Sequence, residues 1–253
     1  MSGYGSFSDD HYVNMNLSTE MELPQGRESV LHFFEQLQRR YPSMANFYAR
    51  EKDEFVLEEE KDNGAYRWAS VEPKRVNSGI VNPESLEEAS AQHLAVLELV
   101  PYELAASPLD CESLSVMVGF DFSCKCNHNE VLCEAIGIAP GLEKFAQMSD
   151  SDAAANRKLL SHDPSIQFSL DDTCRTQCRV SFETRTSAFQ IRSGEYSEEL
   201  LSVYLMVRRF DSLGKGESYV SEFERLSVLC RDLIDGYLID SVLRPLQTAI
   251  AIR

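Results

Sequence analysis

Three stretches of the chain share one pattern: alternating apolar and polar residues, a short polar turn, then apolar residues at helical spacing. In Tyr12 to Leu23 the residues Val13, Met15, Leu17, Met21 and Leu23 fall on one face, and Pro24, Gln25 and Gly26 lead into Val30, Phe33, Phe34 and Leu37. Leu114, Val116, Val118, Phe120 and Phe122 repeat the alternation before Asn127, His128 and Asn129, with Val131, Leu132, Ala135 and Ile136 following. The third instance runs through Leu201, Val203, Leu205 and Val207, then Gly214-Lys215-Gly216, then Tyr219, Phe223, Leu226, Cys230 and Leu233. A period of two buries one strand face, and a period of 3.6 buries one helix stripe. The pattern therefore predicts an α+β protein of mainly antiparallel sheets, wet on one face and covered by helices on the other.

Between these landmarks the chain predicts a strand at Tyr12 to Leu23, a helix at Arg27 to Tyr41, and strands at Glu54 to Glu60 and Tyr66 to Val71 joined by a hairpin at Asp62-Asn63-Gly64. A helix opening at Asn82-Pro83 and ending near Pro101, then a strand at Ser113 to Phe122, complete a β-α-β-β-α-β order, a ferredoxin-like first half. Beyond a helical region from Asn129 to Met148, strands are expected at Ile166 to Leu170, Arg175 to Thr184, Ala188 to Arg192 and Leu200 to Phe210. A long C-terminal helix from Glu217 to Leu243 closes the chain, and the recurrence of helix and strands in both halves points to a diverged duplication. The expected division is a mobile tail at 1–11, a first α+β sub-domain at 12–148, a Ser-, Asp- and Ala-rich linker at 149–164, and a second α+β sub-domain with the terminal helix at 165–253.

Charge narrows the range of partners. At a net charge of −17 the chain lacks the Lys and Arg clusters that release counterions from phosphate backbones, so direct nucleic-acid binding and attraction to anionic membranes are not expected. Acidic mimicry of nucleic acid remains as a weaker alternative. No apolar run approaches the length of a membrane span, and the first residues carry neither the basic start nor the apolar stretch of a secretory signal, so a cytoplasmic location is expected. Seven cysteines, an odd number in a chain that needs no staples, then read as reduced thiols.

Candidate chemistry is sparse. Cys124, Cys126, His128 and Cys133 form the one metal-like cluster, because thiolates and an imidazole suit a tetrahedral zinc shell; the Cys-x-Cys spacing favours it less than a gap of two to four residues, and buried cysteine also serves as an ordinary core residue. Arg179, Arg192 and Arg208 are expected on neighbouring strands, where several guanidiniums on one face can receive a carboxylate or phosphate; cross-strand pairing with nearby glutamates is the competing role. No phosphate-binding loop, dinucleotide fingerprint, nucleophile elbow or paired-His zinc helix occurs, and no cofactor is expected. The sequence is read as a non-catalytic interaction or scaffold protein whose partner is another protein or a second copy. The alternative is a small-ligand-binding protein or enzyme with its site between the two sub-domains. Self-association follows from the terminal helix and from Leu246, Ala249, Ile250, Ala251 and Ile252, which are apolar over more circumference than one core contact needs.

Overall fold

The computed structural model describes residues 4–51, 53–62, 64–147 and 158–253. Their strands form one nine-stranded sheet in which every paired neighbour is antiparallel. In chain order these are β1 (Asp10–Thr19), β2 (Asn46–Glu51), β3 (Glu54–Glu58), β4 (Tyr66–Glu72), β5 (Arg75–Val81), β6 (Cys111–Cys124), β7 (Ser165–Ser169), β8 (Thr176–Glu183) and β9 (Glu199–Phe210). Across the sheet the order is β2-β3-β4-β5-β1-β6-β9-β8-β7, so the alternating strands read from sequence, β1, β6 and β9, lie side by side.

The helices are α1 (Arg27–Arg40), α2 (Leu86–Glu103), α3 (His128–Ile136), α4 (Pro140–Gln147), α5 (Ala188–Ser193), α6 (Tyr219–Leu233) and α7 (Arg244–Ala251), with a π-helical stretch, Ile234–Leu243, linking the last two. Val13, Met15 and Leu17 of β1, Leu114 to Phe122 of β6 on the same parity, and Leu201 to Val207 of β9 are buried with Phe33, Leu37, Val96, Val100, Phe223 and Leu226 in one apolar core. The period-two and period-3.6 patterns thus meet as two sides of one core, each buried aliphatic side chain contributing roughly 1.5–3 kcal/mol.

Several boundaries differ from the sequence reading. Strands β2 and β5 were not anticipated, because the apolar residues of Asn46–Glu51, Phe47, Tyr48 and Ala49, are consecutive and not alternating, and Arg75–Val81 carries Asn77, Ser78 and Gly79 within its alternation. The expected strand at Ala188 to Arg192 is helix α5: Ser187 accepts from the Gln190 N–H, the Gln190 side chain accepts from the Ser187 N–H, and Gly194 ends the turn in the left-handed region. Helix α2 starts after Ser85, whose hydroxyl accepts from the Glu88 N–H, and it continues past Pro101 to Glu103. The terminal helix runs past the expected end at Leu243, through the π-helical stretch, to Ala251, with Pro245 in the first turn of α7. Of the hairpin Asp62-Asn63-Gly64, Asn63 lies outside the described residues; so do 148–157, most of the expected linker's first part.

Residues 1–3 of the expected tail lie outside the described residues, and the part that is described, from Tyr4, contacts the core. Tyr4 packs edge-on against Phe120, with ring centroids 5.8 Å apart, and its hydroxyl donates to Asp235 Oδ1 at 2.9 Å. Burial and the neighbouring Asp235 carboxylate push the Tyr4 phenol above its ordinary pKa. No helix among the described residues is long and apolar enough to cross a membrane.

Candidate functional site on the open face of the sheet

Antiparallel pairing places directly opposed residues on the same face, so the register shows what the side away from the core carries. One row reads Trp68, Gly79, Asn14, Met117, Met206 and Arg179; the next reads Ser70, Asn77, Asn16, Ser115, Arg208 and Gln177. Tyr12, Gly119 and Tyr204 form a third row, and Arg75, Ser18, Ser113 and Phe210 a fourth. This face is richer in polar side chains than the core face, which is mainly apolar.

Two adjoining hollows occupy it. One, of 380 Å³, is bounded by Asn16, Trp68, Arg75, Asn77, Ser115 and Arg208 among others; the second, of 450 Å³, by Asp10, Tyr12, Tyr66, Trp68 and Asp121. Trp68 and Asn14 border both, so the hollows form one groove with the indole at its waist.

The indole sits where it does because the opposing residue has no side chain. A Cβ at Gly79 would lie 2.3 Å from Trp68 Cε2 and Nε1 and 2.5 Å from Asn14 Oδ1. Gly119 accommodates Tyr12 in the same way, with a Cβ there falling 2.3 Å from the phenol ring. Both glycines therefore let an aromatic ring of the adjacent strand lie across the sheet. From the core side Gln92 of α2 holds the same strand pair, its Nε2 donating to Gly79 O at 3.0 Å, Trp68 O at 3.2 Å and Ser78 Oγ at 2.9 Å.

Part of the polar floor is satisfied internally. Asn16 Nδ2 donates to Asn77 Oδ1, and Asn77 Nδ2 donates to Ser70 Oγ at 3.0 Å and Glu72 Oε1 at 2.8 Å. Other groups are not. Asn14 Oδ1, Arg208 Nε and Asp121 Oδ1 are shielded from solvent and have no hydrogen-bond partner among the described residues. Burial lowers the pKa of the Arg208 guanidinium, assisted by the like charges of Arg75 and Arg179, while Glu112 acts in the opposite direction. At the other end of the groove burial raises the Asp121 carboxyl, with Asp10 and Glu183 adding to the effect and Ser202 and Arg185 opposing it. The groove is thus basic near Arg75 and Arg208 and acidic near Asp10 and Asp121.

Of the arginines singled out from sequence, Arg179 and Arg208 share this face, and Arg179 Nε donates to Ser165 Oγ at 3.2 Å. Arg192 does not join them; it lies in α5 with its guanidinium 5.5 Å from the Phe189 ring centroid. Arg75, Trp68 and the unpartnered Asn14 were missed. Their signal was the small residue Gly79 in an alternating run, legible only once β5 is recognised as a strand.

The cysteine cluster is organised differently from a metal shell. Cys124 and Cys126 are joined by a disulfide, against the expectation of reduced thiols; the end of β6 turns so that their Cα atoms come within 5.6 Å, inside disulfide range. Asn127 caps α3 through its side chain, placing His128 in the first turn. His128 Nδ1 accepts from the Arg185 N–H at 3.1 Å, and burial lowers its pKa. Cys133 is half-buried further along α3, and burial raises its thiol. Among the described residues no three His, Cys, Asp or Glu side chains are grouped to hold a metal ion.

A second hollow of different character, 720 Å³ in volume, lies on the core side of the sheet between β7, β8 and the helical stretch Leu233 to Val242. Its border is almost wholly apolar, including Phe168, Val180, Phe182 and Leu238, and it leaves Ile166 62% and Tyr237 68% exposed. No protein-family model matches the sequence, and no curated protein matches it.

Proposed function

We propose that the protein is a non-catalytic binding protein that receives a small polar ligand in the groove on the open face of its sheet. The observation that carries this reading is Arg208, half-buried on the groove floor with no ion pair or hydrogen bond among the described residues. Its guanidinium carbon lies 5.6 Å from the Phe210 ring centroid, but the shielded Nε has no acceptor, so a ligand that accepts from it returns part of the desolvation cost on binding. Scarcity of carboxylates is not the reason, since acidic residues outnumber basic ones 41 to 24. The groove spans the β6 and β9 seam, which is where a site between the two sub-domains, 12–148 and 165–253, would fall in this reading. Amide chemical-shift mapping against mixtures of small carboxylates, phosphates and amines tests it. Shifts should concentrate on β1, β5, β6 and β9; the absence of any saturable shift on these strands would refute the reading.

The same reading keeps the first sub-domain as a ferredoxin-like unit carrying an inserted hairpin. It is supported by the order β4-β5-β1-β6 with α1 and α2 as the two crossings, β2 and β3 being the addition. The second sub-domain, as a diverged copy, extends the same sheet through β9, β8 and β7. Indifference to nucleic acid belongs to the proposal and rests on the net charge of −17, whereas the Cys124–Cys126 disulfide counts against the cytoplasmic location expected from sequence. Self-association as a two-fold dimer is a second reading: Leu246 and Ala249, part of its basis in the sequence, are buried in the chain's own core, and the exposed apolar side chains Ile166, Phe168 and Tyr237 around one hollow are what favour it instead.

A further inference from the structure

The chemistry of the groove narrows the class of ligand, and this step rests on the binding reading above. Arg75 on β5 and Arg208 on β9 stand three strand spacings and two residues of register apart, about 16 Å between backbones, and both border the same 380 Å³ hollow. Between them the floor presents the side chains of Asn16, Ser113 and Ser115. Neither guanidinium makes an ion pair among the described residues, although most other arginines of the chain do. Glu112 borders the hollow and Glu72 stands opposite Arg75 across β4 and β5, but neither forms an ion pair with Arg75 or Arg208, and Arg179 adds a third positive charge nearby. Guanidinium groups suit planar or tetrahedral oxyanions because their N–H donors match two acceptor oxygens at once.

The remaining border is flat and apolar. Trp68 lies across Gly79, and Met117 and Met206 continue the surface toward Arg208. An indole face offers stacking area at little entropic cost, and thioethers adapt to a ring edge. We propose that the groove binds an anionic ligand with a flat ring: the carboxylate or phosphate between Arg208 and Arg75, and the ring against Trp68.

The chain contains a single tryptophan, so its emission reports on this site alone. The experiment titrates the full chain with phenyl phosphate, benzoate, inorganic phosphate and benzylammonium, reading Trp68 fluorescence for the ring compounds and calorimetry for all four. Phenyl phosphate or benzoate should change the emission saturably, with a Kd at least about tenfold below that of benzylammonium, and the comparison between them identifies the preferred oxyanion. Arg208→Gln and the exposed-site variant Arg75→Gln should each weaken the anion at least about tenfold, and Glu112→Gln should tighten it. Gly79→Ala, which displaces the indole, should weaken phenyl phosphate while leaving inorganic phosphate unchanged. Equal affinity for benzylammonium and phenyl phosphate, or unaltered binding in both arginine variants, would overturn the anionic assignment while leaving the groove a binding site. If none of the four compounds binds at the groove, this inference fails; failure of the wider screen of small polar compounds is what removes the binding reading itself.

Discussion

Replacing Gly79 by alanine tests whether the glycine is there to seat Trp68. The added Cβ would stand 2.3 Å from the indole and 2.5 Å from Asn14 Oδ1, whereas ordinary contact begins near 3.4 Å. The ring must therefore retreat by about 1 Å or the two strands must separate. Separation is resisted by Gln92, which bonds to the carbonyls of both Trp68 and Gly79. Overpacking of this kind costs about 1–3 kcal/mol, of which roughly 0.4–1 kcal/mol is offset because alanine restricts the unfolded chain. The expected net loss is up to about 2.6 kcal/mol, a fall in Tm of up to roughly 10 °C for a chain of this size. Urea unfolding measures the first quantity, and a red shift of the Trp68 emission reports the displaced ring. Gly119→Ala is the matched control: its Cβ meets Tyr12 at 2.3 Å, so it should destabilise similarly with little change in tryptophan emission. A Gly79→Ala protein as stable as the parent and with unchanged emission would refute the packing account.

Other outcomes follow from groups under the sheet and at its ends. His93 is fully buried, its Nδ1 3.0 Å from Ser78 Oγ, and burial pushes its pKa down to about 3 from an ordinary value of 6.5. Because the folded value is depressed, its contribution is complete above pH 6.5 and lost as pH falls toward 3, by at most about 1.4 kcal/mol per pH unit. His11 and His128 are lowered for the same reason and add in the same direction. Urea midpoints measured between pH 7 and pH 4 should therefore fall, more shallowly for His93→Leu than for the parent relative to each protein's own value at pH 7; equal slopes would count against this assignment. Gln92→Leu leaves Ser78 and two strand carbonyls without their donor, and chemical unfolding should register a loss of about 1–3 kcal/mol. Leu246 is fully buried whereas Ile252 is 71% exposed, so Leu246→Asp should destabilise the monomer by several kcal/mol, roughly 3 or more, and Ile252→Asp hardly at all. Light scattering of Tyr237→Asp checks the dimer reading, which expects a shift toward the 28.6 kDa monomer and is contradicted by an unchanged mass.

The strands that build the core were legible because burial on one face forces alternation, as in Val13, Met15 and Leu17 or Val203, Leu205 and Val207. Strand β5 was not, since Ser78 occupies a core-facing position that an apolar residue would normally fill; Gln92 and His93 of α2 meet its hydroxyl there. A local pattern cannot announce a polar residue whose partners lie on a helix more than ten positions away. Helix α5 was misread because Ala188 to Ser193 is too short for a helical period to emerge, and its reciprocal Ser187 and Gln190 cap was the better guide. The candidate site was half legible. Strand parity brought Arg179 and Arg208 to one face, but that Arg208 lacks a carboxylate is a property of its surroundings. Arg192 left the set with the strand it was assigned to. The seating of Trp68 on Gly79 depends on register between β4 and β5, which neither strand specifies alone.

The most direct measurement is a crystal structure of the full chain grown with phenyl phosphate. The account predicts the ring against Trp68 and phosphate oxygens within hydrogen-bond distance of Arg208 and Arg75, with Asn14, Asn77 and Gly79 keeping the arrangement described here. It is contradicted if the ligand lies instead in the apolar hollow beside Phe168 and Leu238, or if the groove stays empty at a concentration that saturates binding in solution.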